Sequence, residues 1–337
     1  MIARLAILLA GLVLDRLIGD PPWLWRRLPH PVTLIGQAID SLDSRLNREV
    51  FTSETRRRSG FFALGLLLLG ALILGGFVSA LADALGLLGM IGEAAIVAVF
   101  LAHKSLTDHV RAVGTALRDG GLAEGRRAVA MIVGRDPEQL DQPGVIRAAI
   151  ESLAENASDG VVAPAFWYLV FGLPGLLAYK VVNTADSMIG HMDARYRDFG
   201  YASAKLDDWM NFLPARATAG LFALAARLGG LLPGGGSRPG VSAPSVRAIM
   251  VTTRRDARLH RSPNAGWPEA AMAGALGLAL GGPRRYRDLI VDAPMLNADG
   301  QRSASLDDLA NAIRLFDRAM GIMLAVVVVA IVVVLPS

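Results

Sequence analysis

Two stretches of the chain carry no charged residue at all. Residues 60–82, GFFALGLLLLGALILGGFVSALA, form one, and residues 319–335, AMGIMLAVVVVAIVVVL, form the other. A helix packed into a soluble core keeps a polar stripe for water, and neither stretch has one. Each is of the order needed to cross a bilayer, where about 20 apolar residues suffice. Further apolar stretches lie at 1–18, 84–103, 161–181 and 213–232, separated by polar loops at 19–59, 104–160, 182–212 and 233–318. The pattern predicts an all-α polytopic membrane protein, one integral-membrane domain over 1–337. It would have about 4–6 transmembrane or re-entrant helices, helical cytoplasmic loops and at most one small β-hairpin.

The interruptions refine this. The stretch 161–181 contains Pro164, Gly172, Pro174 and Gly175, which fits a broken or re-entrant helix better than a clean crossing. Helical loop sequence over 104–160 breaks at Gly120–Gly121 and again across 134–144. LPGGGSRPGVSAP, 232–244, reads as a linker. The segment 286–303 is expected to form a small hairpin turning at Asn297–Gly300. SLDD, 305–308, has the form of a capping box in which Asp replaces the preferred Glu, opening the last apolar helix. After its apolar run the N-terminus shows Asp15, Arg16 and Asp20 and no small-residue cleavage site, so a retained helix is expected.

Composition sets orientation. The formal net charge is +4, and apart from Lys104, Lys180 and Lys205 every basic side chain of this class is arginine. The arginines crowd into 19–59, 104–160 and 233–318, while the turn at 83–90 has none. By the positive-inside rule the three long loops face the cytoplasm. The segment 182–212 then stays near the cytoplasmic side only if its flanking stretches are broken helices. With no cysteine, disulfides, thiolate metal sites and cysteine nucleophiles are excluded.

Three constellations could carry chemistry. In ESLAENASDGVVAPAF, 151–166, Glu151, Glu155 and Asp159 recur every four residues and would stack three carboxylates on one helix face. With Asn156 they offer the oxygen ligands that Mg²⁺ takes alongside phosphates. A solvated face explains the spacing as well, but the immediate run into apolar sequence favours a site. The segment 179–219 alternates Lys180, Asn183, Asp186, Asp193, Arg195, Arg197, Asp198, Lys205, Asp207, Asp208, Asn211 and Arg216. Carboxylates for a cation and cations for phosphates are what a metal–nucleotide pocket requires. In 254–277, Arg254, Arg258 and Arg261 recur at helical spacing before a turn with Asn264, Trp267 and Glu269, too particular for lipid headgroup binding alone. Asp15 and Glu93 are ionisable groups within apolar runs. His30, between two prolines, reads as structural.

These segments together resemble the adenosylcobinamide-phosphate synthase family (CbiB/CobD) of cobalamin assembly. The pieces are LDRLIGDPPWL with PHPVTLIG, MIVGRDP, ESLAENASDGVVAPAFWY, NTADSMIGHMDARYRDFGYASAKLDDWMNFLPAR and RDARLHRSPNAGWPEAAMAGALG, in family order along nearly the whole chain. The resemblance implies an ATP-dependent amide ligase. Such an enzyme joins a propionate carboxylate of adenosylcobyric acid to (R)-1-amino-2-propanol or its O-phosphate. ATP and Mg²⁺ are implied as cosubstrate and cofactor, and the corrinoid as substrate. The implied setting is the inner (cytoplasmic) membrane, with the lipid bilayer and other membrane enzymes of nucleotide-loop assembly as partners and no nucleic acid.

Residue by residue, the resemblance makes Glu151, Glu155, Asp159 and Asp186 candidate Mg²⁺ ligands, the first three also candidate catalytic acids or bases. Asp207 and Asp208 are candidates to receive the amine proton. Lys180, Asn183, Arg195, Arg216, Arg254 and Arg255 are candidate phosphate or carboxylate clamps, with Asn264 and Trp267 as further substrate contacts. The alternative of another class is a non-catalytic membrane sensory or binding protein resembling the AmpE family, which would not need this full set of acids and amides.

Overall fold

The computed structural model describes residues 1–134, 136–230, 244–282, 284–286, 289–291 and 293–335. Thirteen α-helices and four very short strands occur among the described residues, and the fold is all-α. Four helical stretches there are long and apolar enough to cross a membrane: Ser53–Ala84, Leu87–Ala130, Gln142–Ile189 and Leu306–Val334. The chain divides into two compact units. One comprises Met1–Ala102, Ala163–Asn211 and Val328–Ser337, and the other His103–Val162 and Phe212–Val327.

In the first unit α1 (Ile2–Leu17) packs on α5 (Leu87–Phe100), so closely that a Cβ on Gly11 would lie 2.7 Å from Val97. α2 (Pro22–Trp25) and α3 (Pro31–Leu46) follow α1; His30 caps α3 by accepting the Val32 N–H, with Pro31 opening the helix. The other imidazole nitrogen of His30 lies 3.4 Å from Asp20, so the residue is structural, as its setting between prolines suggests. α4 (Ser53–Ala84) packs on α8 (Ala163–Ile189) and on α9 (Tyr201–Met210). α4 turns small residues inward (Gly60, Ala63, Ala71, Gly75) and large ones outward (Phe61, Phe62, Ile73, Phe77). That inversion of the soluble pattern is how helices approach one another in lipid. α8 breaks at Gly172 (φ 69), just before Pro174, and Arg4 donates to the carbonyls of Leu169 and Val170 that the break leaves over. Glu93, buried within α5, accepts from the Tyr168 hydroxyl at 2.7 Å.

The second unit holds α6 (His103–Ala130), α7 (Gln142–Ala157), α10 (Phe212–Gly229), α11 (Val246–Asp256), α12 (Gly266–Leu276) and most of α13 (Leu306–Val334). α6 breaks at Gly121 (φ 72), where the paired glycines predict it. Asp141 caps α7. The expected capping box opens α13: Ser305 N–H donates to Asp308, and Asp308 N–H donates back to the Ser305 hydroxyl.

Two expectations change. The three-carboxylate face does not continue unbroken, because at Ser158–Val162 the chain widens into a π-helical turn. The hairpin is also placed differently: β2 (Arg284–Tyr286) pairs antiparallel with β3 (Leu289–Val291), and β1 (Leu280–Gly281) with β4 (Met295–Leu296). Residues 297–300 form a separate turn, drawn onto the end of α12 because the Asn297 side chain donates to the carbonyls of Ala273 and Leu278. The linker at 232–244 lies, apart from Pro244, outside the described residues.

Candidate functional site

Each unit gathers one set of the expected residues. In the first, the centre is Asp207 on α9, a carboxylate with only 8% of its surface exposed. Both oxygens are held: Asn183 Nδ2 on α8 donates to Oδ1 at 3.3 Å, and Asn211 Nδ2, one turn beyond Asp207, donates to Oδ2 at 3.0 Å. Tyr179 in turn donates its hydroxyl to Asn211 Oδ1 at 2.9 Å, which fixes the amide's orientation. Burial, followed by the charge of Asp186 on α8, pushes the Asp207 carboxyl up to about 7, while the two asparagine donors act the other way. Asp208 is raised too, by burial, against the pull of Lys205 at 3.7 Å.

This set is local in origin. Asn183 and Asp186 lie three apart on α8, and Asp207 and Asn211 four apart at the end of α9, so each pair shares a helix face. The packing of α8 on α9 joins the pairs. Asn183, Asp186 and Asp207 were legible as candidates. Tyr179 was missed, since a tyrosine in an apolar run reads as core.

The other expected residues of this unit separate by role. Arg195 is committed to the buried Asp43 at 2.6 Å and stacks near Tyr196, which gives it a structural load before any ligand arrives. Lys180 is half-buried on α8.

In the second unit Glu151 is buried in α7, and its Oε1 accepts the backbone N–H of Gly281 at 2.8 Å. Glu155 and Asp159 are half-buried, the latter inside the π turn. Beside it the Ser158 hydroxyl is buried with no hydrogen-bond partner. π turns of this kind occur often at functional sites. Arg254 is exposed, and Arg255 is taken by Asp256 through two contacts at 2.5 and 3.0 Å, which hold the Asp256 carboxyl below its usual value. Arg216 on α10 lies over two aromatic rings and donates to Asn264.

Among the described residues no three His, Asp or Glu side chains come together closely enough to cage a cation alone. Mg²⁺ escorting a nucleotide needs less, one or two carboxylates with the phosphates completing its shell. Asp186 on α8, which packs on α9 and whose charge reaches Asp207, is the carboxylate of this unit that could meet that requirement.

The chain matches the family described as CobD/Cbib protein over residues 8–316. A relative from Brucella anthropi, named cobalamin biosynthesis protein CobD, is 52% identical over 327 residues, covering 97% of each chain. Proteins of the same name are 53% identical in Rhizobium meliloti (95% of this chain, 94% of the relative) and 46% identical in Rhodobacter capsulatus (96% of each). No solved structure matches. Helices, loops and both residue sets fall almost wholly inside the matched region, and the chain belongs to the CobD/CbiB family.

Proposed function

We propose that the protein forms an amide bond at the expense of ATP in cobalamin biosynthesis, joining a propionate of adenosylcobyric acid to aminopropanol or its phosphate. The names of the relatives support the pathway, and the reaction follows from the family resemblance. The observation that carries the chemistry is Asp207, a buried carboxylate whose oxygens accept from Asn183 and Asn211 and whose pKa burial pushes up. A general base works best when its pKa lies near the working pH.

The carboxylate substrate is a poor acyl donor. In this reading its oxygen attacks the γ-phosphorus of ATP, giving an acyl phosphate and ADP. The amine nitrogen then attacks the acyl carbon, phosphate departs, and the proton lost from nitrogen passes to Asp207. Mg²⁺, held by Asp186 with the nucleotide phosphates, would neutralise the charge that spreads during phosphoryl transfer. Asn183 and Asn211 keep Asp207 oriented. Glu151, Glu155 and Asp159 remain candidate Mg²⁺ ligands or bases in the second unit. The site is proposed to open to the cytoplasm from the inner membrane.

The test is direct. Purified protein with adenosylcobyric acid, ATP, Mg²⁺ and each amine in turn should give the mass of the amide product. Asp207→Asn should cut turnover about 10²- to 10⁴-fold, the usual share of a general base. No product with either amine would sink the ligase reading in favour of a sensory or binding protein resembling the AmpE family.

A further inference from the structure

Among the arginines that resemble anion clamps, Arg216 stands apart by what surrounds it. Its guanidinium carbon lies 3.5 Å from the centre of the Phe212 ring and 4.5 Å from that of Trp267. Nη1 is spent on two neutral acceptors, the Phe212 carbonyl at 2.6 Å and Asn264 Oδ1 at 3.3 Å. Among the described residues no carboxylate lies within ion-pair distance of it, and Nε and Nη2 have no acceptor. Two acids on the helices packed against α10 have partners of their own: Glu269 on α12, 1% exposed, lies 3.5 Å from His260 Nε2, and Asp256 on α11 holds Arg255 and the Asn297 N–H.

A half-buried guanidinium cannot escape its cost by losing a proton, because it stays charged at any pH a protein meets. Burial opposes the charge here, and among the described residues no acid at ion-pair distance compensates. Ring faces and neutral oxygens orient the group without neutralising it. The turn that supplies Trp267 and Asn264 is itself stiff. The Ser262 hydroxyl accepts the N–H groups of Asn264 and Ala265, and a Cβ at Gly266 would meet the Ala257 carbonyl oxygen at 2.6 Å.

We propose that Arg216, held by Phe212, Trp267 and Asn264, is a preorganised receptor for an oxyanion, which docks on the free Nε–Nη2 edge. That edge presents two parallel N–H donors, the geometry that matches a phosphate or carboxylate bidentately. Two sources carry this chemistry under the ligase reading on which the identity of the anion rests: the nucleotide's phosphates and the corrinoid's carboxylate. The receptor itself stands on geometry and is read by binding alone, so a failure of ligation leaves it intact.

The experiment titrates detergent-solubilised protein calorimetrically, without turnover, with inorganic tripolyphosphate in one arm and adenosylcobyric acid in the other. Arg216→Gln should weaken binding about 10- to 100-fold in one arm, the loss expected for a charge-assisted hydrogen-bonding group. A loss confined to tripolyphosphate assigns the nucleotide, and a loss confined to the corrinoid acid assigns the carboxylate. Trp267→Leu keeps the charge and releases the clamp, and should weaken the same arm by a smaller factor. If Arg216→Gln does not fold, Arg216→Lys decides, since it keeps the charge but lacks the fork. Wild-type affinity in both arms for a folded Arg216 variant, or no binding of either probe by the wild type, overturns the proposal.

Discussion

At Asp207, the base proposed above, burial has a cost in stability. An ordinary aspartate ionises near 3.8, and this one holds its proton to about 7, because burial and the charge of Asp186 oppose the anion. Folding therefore gains from the protonated form. That gain is whole below 3.8 and is lost as the pH rises through the folded value of about 7. Asp207→Asn cannot ionise, so it escapes the loss, although one of its two amide contacts is reversed at every pH. Between about pH 4 and about pH 8 the stability difference should move in favour of the variant by about 2–4 kcal/mol. Melting temperatures of wild type and variant across that range check this. Parallel curves would show that the carboxylate titrates normally. Such a shift would be the usual trade between activity and stability at a proposed base.

Along the helices, two adjacent glycines on α4 should behave in opposite ways. A Cβ at Gly75 would sit 2.6 Å from the Pro174 Cα, where α8 breaks, and backbone cannot step aside as a side chain can. At Gly76 nothing lies within 4 Å. Gly75→Ala should lose about 1–3 kcal/mol, in the range of overpacking. Gly76→Ala should be neutral or gain up to about 1 kcal/mol from helix propensity. Equal melting temperatures would mean that α4 and α8 do not meet at Gly75. The break in α8 was legible from its glycines and prolines, as were the apolar runs and the capping box, because each is set by residues close in sequence. The hairpin register was not, since Asn297 is claimed by carbonyls of α12 that local sequence does not reveal. The site divides along the same line. Asn183, Asp186 and Asp207 follow from helical spacing and charge, whereas the setting of Arg216 depends on Trp267 and Asn264, about 50 residues away in sequence, which local pattern does not bring to it.

For the whole molecule, the distribution of arginine makes a claim about sidedness that the cysteine-free chain is suited to test. α4 has 32 residues, about 48 Å of helix at 1.5 Å each, well beyond the hydrocarbon thickness. Its polar first turns carry Arg56, Arg57 and Arg58, while Asp83 is the only charged residue near its other end. The positive-inside rule then puts the arginine end in the cytoplasm and the turn before α5 on the far side. With no native cysteine to mask, Glu49→Cys and Leu85→Cys each introduce a single exposed thiol at opposite ends of that helix. A membrane-impermeant maleimide added to spheroplasts should label Leu85→Cys and spare Glu49→Cys, and inverted vesicles should reverse the result. Labelling from the same side at both positions would mean that α4 does not cross, and the exchange of the two patterns would move the first arginine-rich loop out of the cytoplasm. Because ATP is cytoplasmic, a loop assignment of that kind tests the proposed chemistry as well: a ligase fed by ATP would need its nucleotide-binding side chains on the side the arginines choose.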